Sequence, residues 1–106
     1  MITVIIKYCG KKDNAKRFME EMISSHIVEE IRNEKGNLRY EYFIPVNDKE
    51  SVLLIDSWID QSCLDEHHKS PLMNKIAQLR EKYDLHMEVN KYQEIIDKKD
   101  DKFIRK

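Results

Sequence analysis

Residues 51–60 carry apolar side chains on both of the faces that an extended strand would present. One face would carry Val52, Leu54 and Trp58, and the other would carry Leu53, Ile55 and Ile59. A strand that is apolar on one face lies between a core and solvent, whereas a strand that is apolar on both needs cover on both. This segment therefore predicts a central strand with helices on one side and a second layer on the other.

The remaining periodicities predict an α+β fold of the ferredoxin-like β-α-β-β-α-β order. Alternation predicts strands and spacings of three and four predict amphipathic helices. Both helices are expected on one face of the sheet, with the first and third strands central because they are the most apolar. Ser62 is the predicted cap of a short helical turn, and Ser70-Pro71 begins the second helix. The predicted strands are residues 2–8, 37–44, 51–60 and 85–94, and the main helices are residues 15–31 and 70–83.

The domain is expected to cover residues 1–95, followed by a charged tail over residues 96–106. If both helices cover one face, a monomer would leave an apolar patch on the other, to which Phe43 of the second strand would add. A two-fold homodimer that packs sheet against sheet would cover that patch. The alternative is that Val and Leu are present only because they favour strands.

Charge and composition argue against several classes of partner. The chain has 19 basic and 20 acidic residues, so no basic excess favours nucleic acid. No apolar run approaches the length that spans a membrane, and the N-terminus lacks the pattern of a signal peptide. Two cysteines without a disulfide framework are typical of the cytoplasm. With two glycines in the chain, a phosphate-binding loop is not expected.

Three polar or aromatic groups on the second strand and the one tryptophan are candidate site residues. Trp58 lies near the end of a central strand, beside the predicted cleft between helices and sheet. Tyr40, Tyr42 and Arg39 could orient a polar substrate through their hydroxyl and guanidinium groups. Packing is the commoner role for a lone tryptophan and for strand tyrosines.

The histidines are the candidates for proton transfer. His67 could act as a general base near neutral pH. His68 beside it could be a second contact or a histidine on the helix surface, and His26 on the first helix stripe could face the same cavity or only border the core. Cys63 and His67 share a helical face, but no third ligand is apparent, so no metal site is predicted.

Three segments together resemble a known family. They are VEEIRNEKGNLRYE at residues 28–41, the strand that ends in Trp58, and LDEHHKSP at residues 64–71. The combination of Gly36 with Tyr40, Trp58, and His67 with Ser70-Pro71 resembles the antibiotic biosynthesis monooxygenase family, which includes quinol monooxygenases. The resemblance covers residues 2–95.

The resemblance implies a dimeric α+β barrel and a cofactor-free oxygenase without metal, flavin or haem. In characterised members an apolar pocket holds an electron-rich phenol, quinol or anthrone, and a polar residue helps to deprotonate it. On that pattern Trp58 would wall the pocket, His67 would be the base or a hydrogen-bond donor, and Tyr40 would be a secondary polar contact.

Departures from the family pattern leave two alternatives open. Leu72 stands where many members have a second histidine, and residues 72–83 lack the axial histidine of haem-degrading members. An isomerase branch that acts on a phosphorylated autoinducer-2 sugar has the same Gly-Asn-Leu-Arg sequence at the start of its second strand as this chain has at residues 36–39. It also has a histidine-lysine pair like His68-Lys69. Arg39 and Lys69 in the pocket would favour that branch, because phosphate needs cations. The third possibility is a non-catalytic dimer that binds a small molecule.

Overall fold

The computed structural model describes residues 1–106, in the order β-α-α-β-β-α-α-β followed by one short 3₁₀ helix. The α+β class predicted from the periodicities is confirmed. The elements are β1 (Ile2–Cys9), α1 (Asn14–Ser24), α2 (Ile27–Arg32), β2 (Asn37–Phe43), β3 (Ser51–Trp58), α3 (Gln61–His68), α4 (Leu72–Lys82), β4 (His86–Gln93) and the 3₁₀ helix (Lys98–Phe103).

The four strands form one antiparallel sheet in the order β2-β3-β1-β4. The two most apolar strands, β1 and β3, are therefore central, as predicted. Their register places Asp56 of β3 opposite Val4 of β1 and Tyr40 of β2, while Lys91 of β4 lies opposite Val4 on its other side. These four residues form one row across the sheet, and their side chains point to the same face because paired residues share a face.

The prediction of a single helix over residues 15–31 is wrong, because the chain forms two helices, α1 and α2, separated at His26. His26 has a φ of 66°, and Ser25 donates its hydroxyl to the Glu21 carbonyl at 2.6 Å. Such side-chain bonds compete with the helical ladder, and histidine tolerates positive φ better than branched residues do. The break lets α2 bury Ile27 and its neighbours while Ile23 stays 54% exposed.

The second helical region also begins differently from the prediction. Asp60, not Ser62, caps α3, since its carboxylate accepts a hydrogen bond from the Cys63 backbone nitrogen at 2.9 Å. Ser70 accepts a hydrogen bond from the Leu72 backbone nitrogen at 3.2 Å and so precedes α4 as predicted.

The core lies between the helices and one face of the sheet. Val4, Ile6 and Tyr8 of β1 and Leu54 and Trp58 of β3 are buried there against α1 to α4. The opposite, helix-free face is mixed, and its most apolar part consists of Ile5, Phe43, Leu53, Ile55 and Tyr92.

Beyond β4 the chain is exposed, including the apolar side chains of Ile95, Ile96 and Phe103. The division into a domain of residues 1–95 and a tail of residues 96–106 stays a prediction. None of the helices combines the length and the apolar composition that crossing a membrane requires. Cys9 and Cys63 are both free thiols.

Candidate active site

A cavity of about 270 Å³ lies between the helix-covered face of the sheet and helices α3 and α4. Most of its lining is apolar, from residues such as Val4 and Ile6 of β1 and Leu64 and Ile76 of the two helices. Strand β4 is exposed along its length, and Met87, Val89 and Lys91 form the side of the cavity at that edge. An apolar cleft with a few polar groups is the usual form of a small-molecule site.

Asp56 is the one acidic residue that lines this cavity. It is 4% exposed, and its Oδ1 accepts a hydrogen bond from Trp58 Nε1 at 2.7 Å, which leaves Oδ2 for a ligand. Burial raises the pKa of this carboxyl from 3.8 to about 6, although nearby His67 and the bond from Trp58 act in the opposite direction. A carboxyl with that pKa can accept or release a proton near neutral pH.

His67 lines the same cavity from α3 and is also 4% exposed. Its Nδ1 lies 2.7 Å from Oε2 of Glu34, a residue of the loop between α2 and β2 whose side chain is 20% exposed. A carboxylate on Nδ1 keeps a proton on that nitrogen and leaves Nε2 as the atom that can meet a ligand.

Gly36 allows Glu34 to reach His67. Its φ is 80°, a conformation that residues with a Cβ avoid, and a Cβ there would collide with Cys63 of α3. Its carbonyl accepts the Ile59 backbone N–H at 2.9 Å. This close approach of the loop to α3 sets Glu34 against the helix that carries His67.

Trp58 connects the two titratable groups rather than lining the cavity. The indole is fully buried, stacks on the His67 ring at 4.7 Å between centroids, and donates to Asp56. The predicted role of Trp58 as a wall of the pocket is not seen, since Asp56 and His67, which the indole contacts, line the cavity and Trp58 does not. Trp58 is a positioning residue, because it fixes one oxygen of Asp56 and one face of His67.

Among the tyrosines, the structure brings Tyr40 to the cavity and leaves Tyr42 outside it. Tyr40 is buried and lines the cavity from β2, while the Tyr42 hydroxyl is buried without a hydrogen-bond partner, next to an open groove beside α2. The two rings meet edge to face at 5.9 Å. Burial raises the pKa of both phenols, so both stay protonated and can act only as neutral hydrogen-bonding groups.

Of the other predicted contacts, His68 lines the cavity, whereas His26 and Arg39 do not. His26 is exposed at the break between α1 and α2 and pairs with Glu29 at 3.2 Å. Arg39 is paired in register with Ser57, so it points to the helix-free face, where it bonds Glu41 at 2.8 Å. The prediction that His26 shares a cavity with Tyr40 and His67 is wrong for His26.

Several polar residues of the site were not identified from the sequence, among them Asp56, Arg80 and Glu34. Asp56 was visible as the one acid on an inward strand face between Leu54 and Trp58, and Arg80 follows Ile76 by one helical turn, on the apolar stripe of α4. Glu34 gave no signal, because its position depends on the loop that Gly36 closes. No group of three or more His, Cys, Asp or Glu side chains is arranged to hold a metal ion.

The sequence pattern of the antibiotic biosynthesis monooxygenase family matches residues 1–79 of the chain. No curated protein matches this chain. Many solved structures match it. One of them, from Deinococcus radiodurans, is described as an antibiotic biosynthesis monooxygenase; it has a TM-score of 0.78 and 16% identity, and the match covers 92% of this chain and 97% of the other.

Two further structures share the fold. A conserved protein from Methanosarcina mazei has 27% identity and a TM-score of 0.75, over 89% of this chain and 92% of its own. SnoaB, a cofactor-independent oxygenase from Streptomyces nogalater, has 12% identity and a TM-score of 0.75, over 92% and 95% of the two chains.

Proposed function

Because the chain belongs to the antibiotic biosynthesis monooxygenase family, we propose that it is a cofactor-independent monooxygenase that oxidises a small aromatic or quinol-type substrate with O₂. The observation that carries the proposal is the pairing of Asp56, whose pKa is about 6, with the Glu34-supported His67 in one apolar cavity. Such a cavity can bind an aromatic ring, and the two titratable groups can move protons at its edge.

In the proposed reaction, Asp56 accepts the proton of a substrate hydroxyl through Oδ2. The resulting phenolate is electron-rich at a ring carbon, which reduces O₂ directly and forms a C–O bond. The outer oxygen of the resulting peroxide takes back the proton that Asp56 holds. Nε2 of His67 then removes the hydrogen of the ring carbon as a proton, the C–H electrons form the C=O bond, and the O–O bond breaks to release hydroxide. His67 passes its proton to that hydroxide, which restores both residues. The substrate thus loses two hydrogens and gains one oxygen atom, and the other oxygen leaves as water.

The first test is oxygen uptake by the purified protein with a panel of quinols and anthrones, with chelator present and no flavin added. We expect uptake that scales with protein, and a rate about 100-fold lower in His67→Ala. His86→Ala is the matched control, because His86 is exposed on the helix-free face of β4 and should keep the wild-type rate. Equal rates in His67→Ala and the wild type would contradict the role given to His67.

The isomerase alternative depended on Arg39 and Lys69 in the pocket, and neither lines the cavity. Arg39 bonds Glu41 on the other face, and Lys69 is exposed with Glu66 at 3.6 Å. Arg80 and Lys91 line the cavity instead, so oxygen uptake, which an isomerase would not show, separates this alternative from the monooxygenase. A non-catalytic binding dimer would bind ring compounds without consuming oxygen, so the same assay separates it from the enzyme.

We also propose that the protein is a cytoplasmic homodimer joined through its helix-free sheet faces. Ile5, Leu53 and Ile55 form an apolar strip there, which Phe43 extends on the β2 side. We expect Ile55→Asp to convert the dimer to a monomer in sedimentation velocity, because the pairing would bury an unpaired carboxylate. Val46→Asp, a matched change in an exposed loop, should leave the dimer intact. A dimeric Ile55→Asp variant would contradict this interface.

A further inference from the structure

Arg80 is a cation in the wall of the cavity without a carboxylate partner. It extends from α4, and its Nη2 donates a hydrogen bond to the Tyr8 hydroxyl at 3.2 Å while the guanidinium lies 5.6 Å from the centre of the Tyr8 ring. No acidic oxygen lies within 4.0 Å of it, and its Nε is buried without any acceptor. A buried N–H without an acceptor is rare and calls for an explanation.

Two other arginines show the usual arrangement. Arg32 donates Nε and Nη2 to the Tyr40 carbonyl at 3.0 and 2.7 Å, and Arg39 donates Nε to Glu41. In both, Nε has an acceptor within the protein. Nε of Arg80 is too deeply buried to meet a ligand, but the residue is half-buried, lines the cavity, and bonds within the protein through Nη2 alone. Its other terminal donors lack an acceptor in the protein, and a bound group in the cavity would supply one.

The balance of charges around the cavity points the same way. Its lining contains one acid, Asp56, and two permanent cations, Arg80 and Lys91. The Lys91 ammonium donates to Gln61, and one oxygen of Asp56 is already bonded by Trp58. Both cations keep unused donors, but only Arg80 presents them as a planar fork that matches two oxygens of one group.

We infer that the substrate of this cavity carries an oxyanion substituent, a carboxylate or a phosphate, that binds to the guanidinium of Arg80. The planar fork of donors on arginine matches two oxygens of either group, and the apolar surroundings strengthen such a bond. The inference rests on the proposed function for the oxidation of the ring, but the recognition itself is independent of O₂. Arg80 thus determines which aromatic compounds are bound.

Calorimetric titration at neutral pH tests the inference with three ring compounds of similar size: naphthol, naphthoate and naphthyl phosphate. We expect one of the two anions to bind about tenfold or more tightly than naphthol to the wild-type protein. In Arg80→Met the preference should disappear, while the affinity for naphthol stays within about twofold. Lys75→Met is the matched control, because Lys75 is an exposed cation of α4 that does not line the cavity, and this variant should keep the preference.

Three outcomes would overturn the inference. The wild-type protein could bind naphthol and both anions with equal affinity, it could bind none of the three compounds, or the preference for an anion could survive in Arg80→Met. Far-UV circular dichroism checks that each variant is folded, and Arg80→Lys, which keeps the charge but loses the fork, should give an intermediate preference. The stronger of the two anions identifies the group as carboxylate or phosphate. Anion preference without oxygen uptake on any substrate would contradict the proposed function alone, and uptake of neutral quinols without anion preference would contradict this inference alone.

Discussion

Replacing Asp56 with asparagine is expected to lower oxygen uptake about 1000-fold, within the range that a positioned general base contributes. The amide keeps the shape of the carboxyl, and its oxygen can still accept the hydrogen bond from Trp58 Nε1. What it loses is the ability to take the substrate proton. The measurement is the initial rate of uptake on the best quinol of the panel, with His86→Ala as the control.

The pH dependence distinguishes Asp56 from His67 as the base. A base must be ionised to work, so the wild-type rate should rise with pH and reach half of its maximum near the pKa of Asp56, about 6. His67→Ala should be slower but keep this rise, and Asp56→Asn should lack it. A rise that persists in Asp56→Asn and disappears in His67→Ala would assign the base to His67 instead.

Asp56→Asn, which should lower the rate of oxygen uptake, should raise the stability of the protein at neutral pH. The folded-state pKa of Asp56 is raised from 3.8 to about 6 by burial, so its contribution to stability is complete below the unfolded pKa and is lost as pH rises through 6. Asp56→Asn should therefore exceed the wild type in free energy of unfolding by about 3 kcal/mol above pH 7, and the gap should close toward pH 4. Urea unfolding at the two pH values measures it.

The strands and their order could be predicted from the sequence because their signals are local. The alternation of β1 and the two apolar faces of β3 follow from the period of a strand and do not depend on distant residues. The break at His26 could not be predicted in this way. The apolar spacing continues through it, and the choice to expose Ile23 and bury Ile27 is made by packing against the sheet.

The site was only half visible in the sequence for a related reason. His67, Tyr40 and His68 stand out as residue types, and the structure places them at the cavity. Asp56 is a single acid in an apolar strand, and its pKa depends on burial that only the fold creates. Glu34 reaches His67 across 33 positions of sequence through the turn at Gly36, a contact that no spacing rule predicts.

Trp58→Ala should cost about 3–5 kcal/mol in the free energy of unfolding, the range for removing a large buried aromatic side chain. The indole is fully buried, and its loss would leave a cavity beside His67 and remove the donor to Asp56 Oδ1. For a small domain this is a large part of the total stability. Urea unfolding followed by far-UV circular dichroism is the suitable measurement, because the variant has no tryptophan fluorescence.

Trp58→Phe separates packing from hydrogen bonding. A phenyl ring can still stack on His67, so most of the stability should be retained, but the N–H that bonds Asp56 is absent. Because that bond lowers the pKa of Asp56, its removal should shift the pH of half-maximal oxygen uptake upward by about one unit. An unchanged pH profile in Trp58→Phe, together with a loss of less than about 1 kcal/mol in Trp58→Ala, would show that the indole does not hold Asp56 and His67 in place.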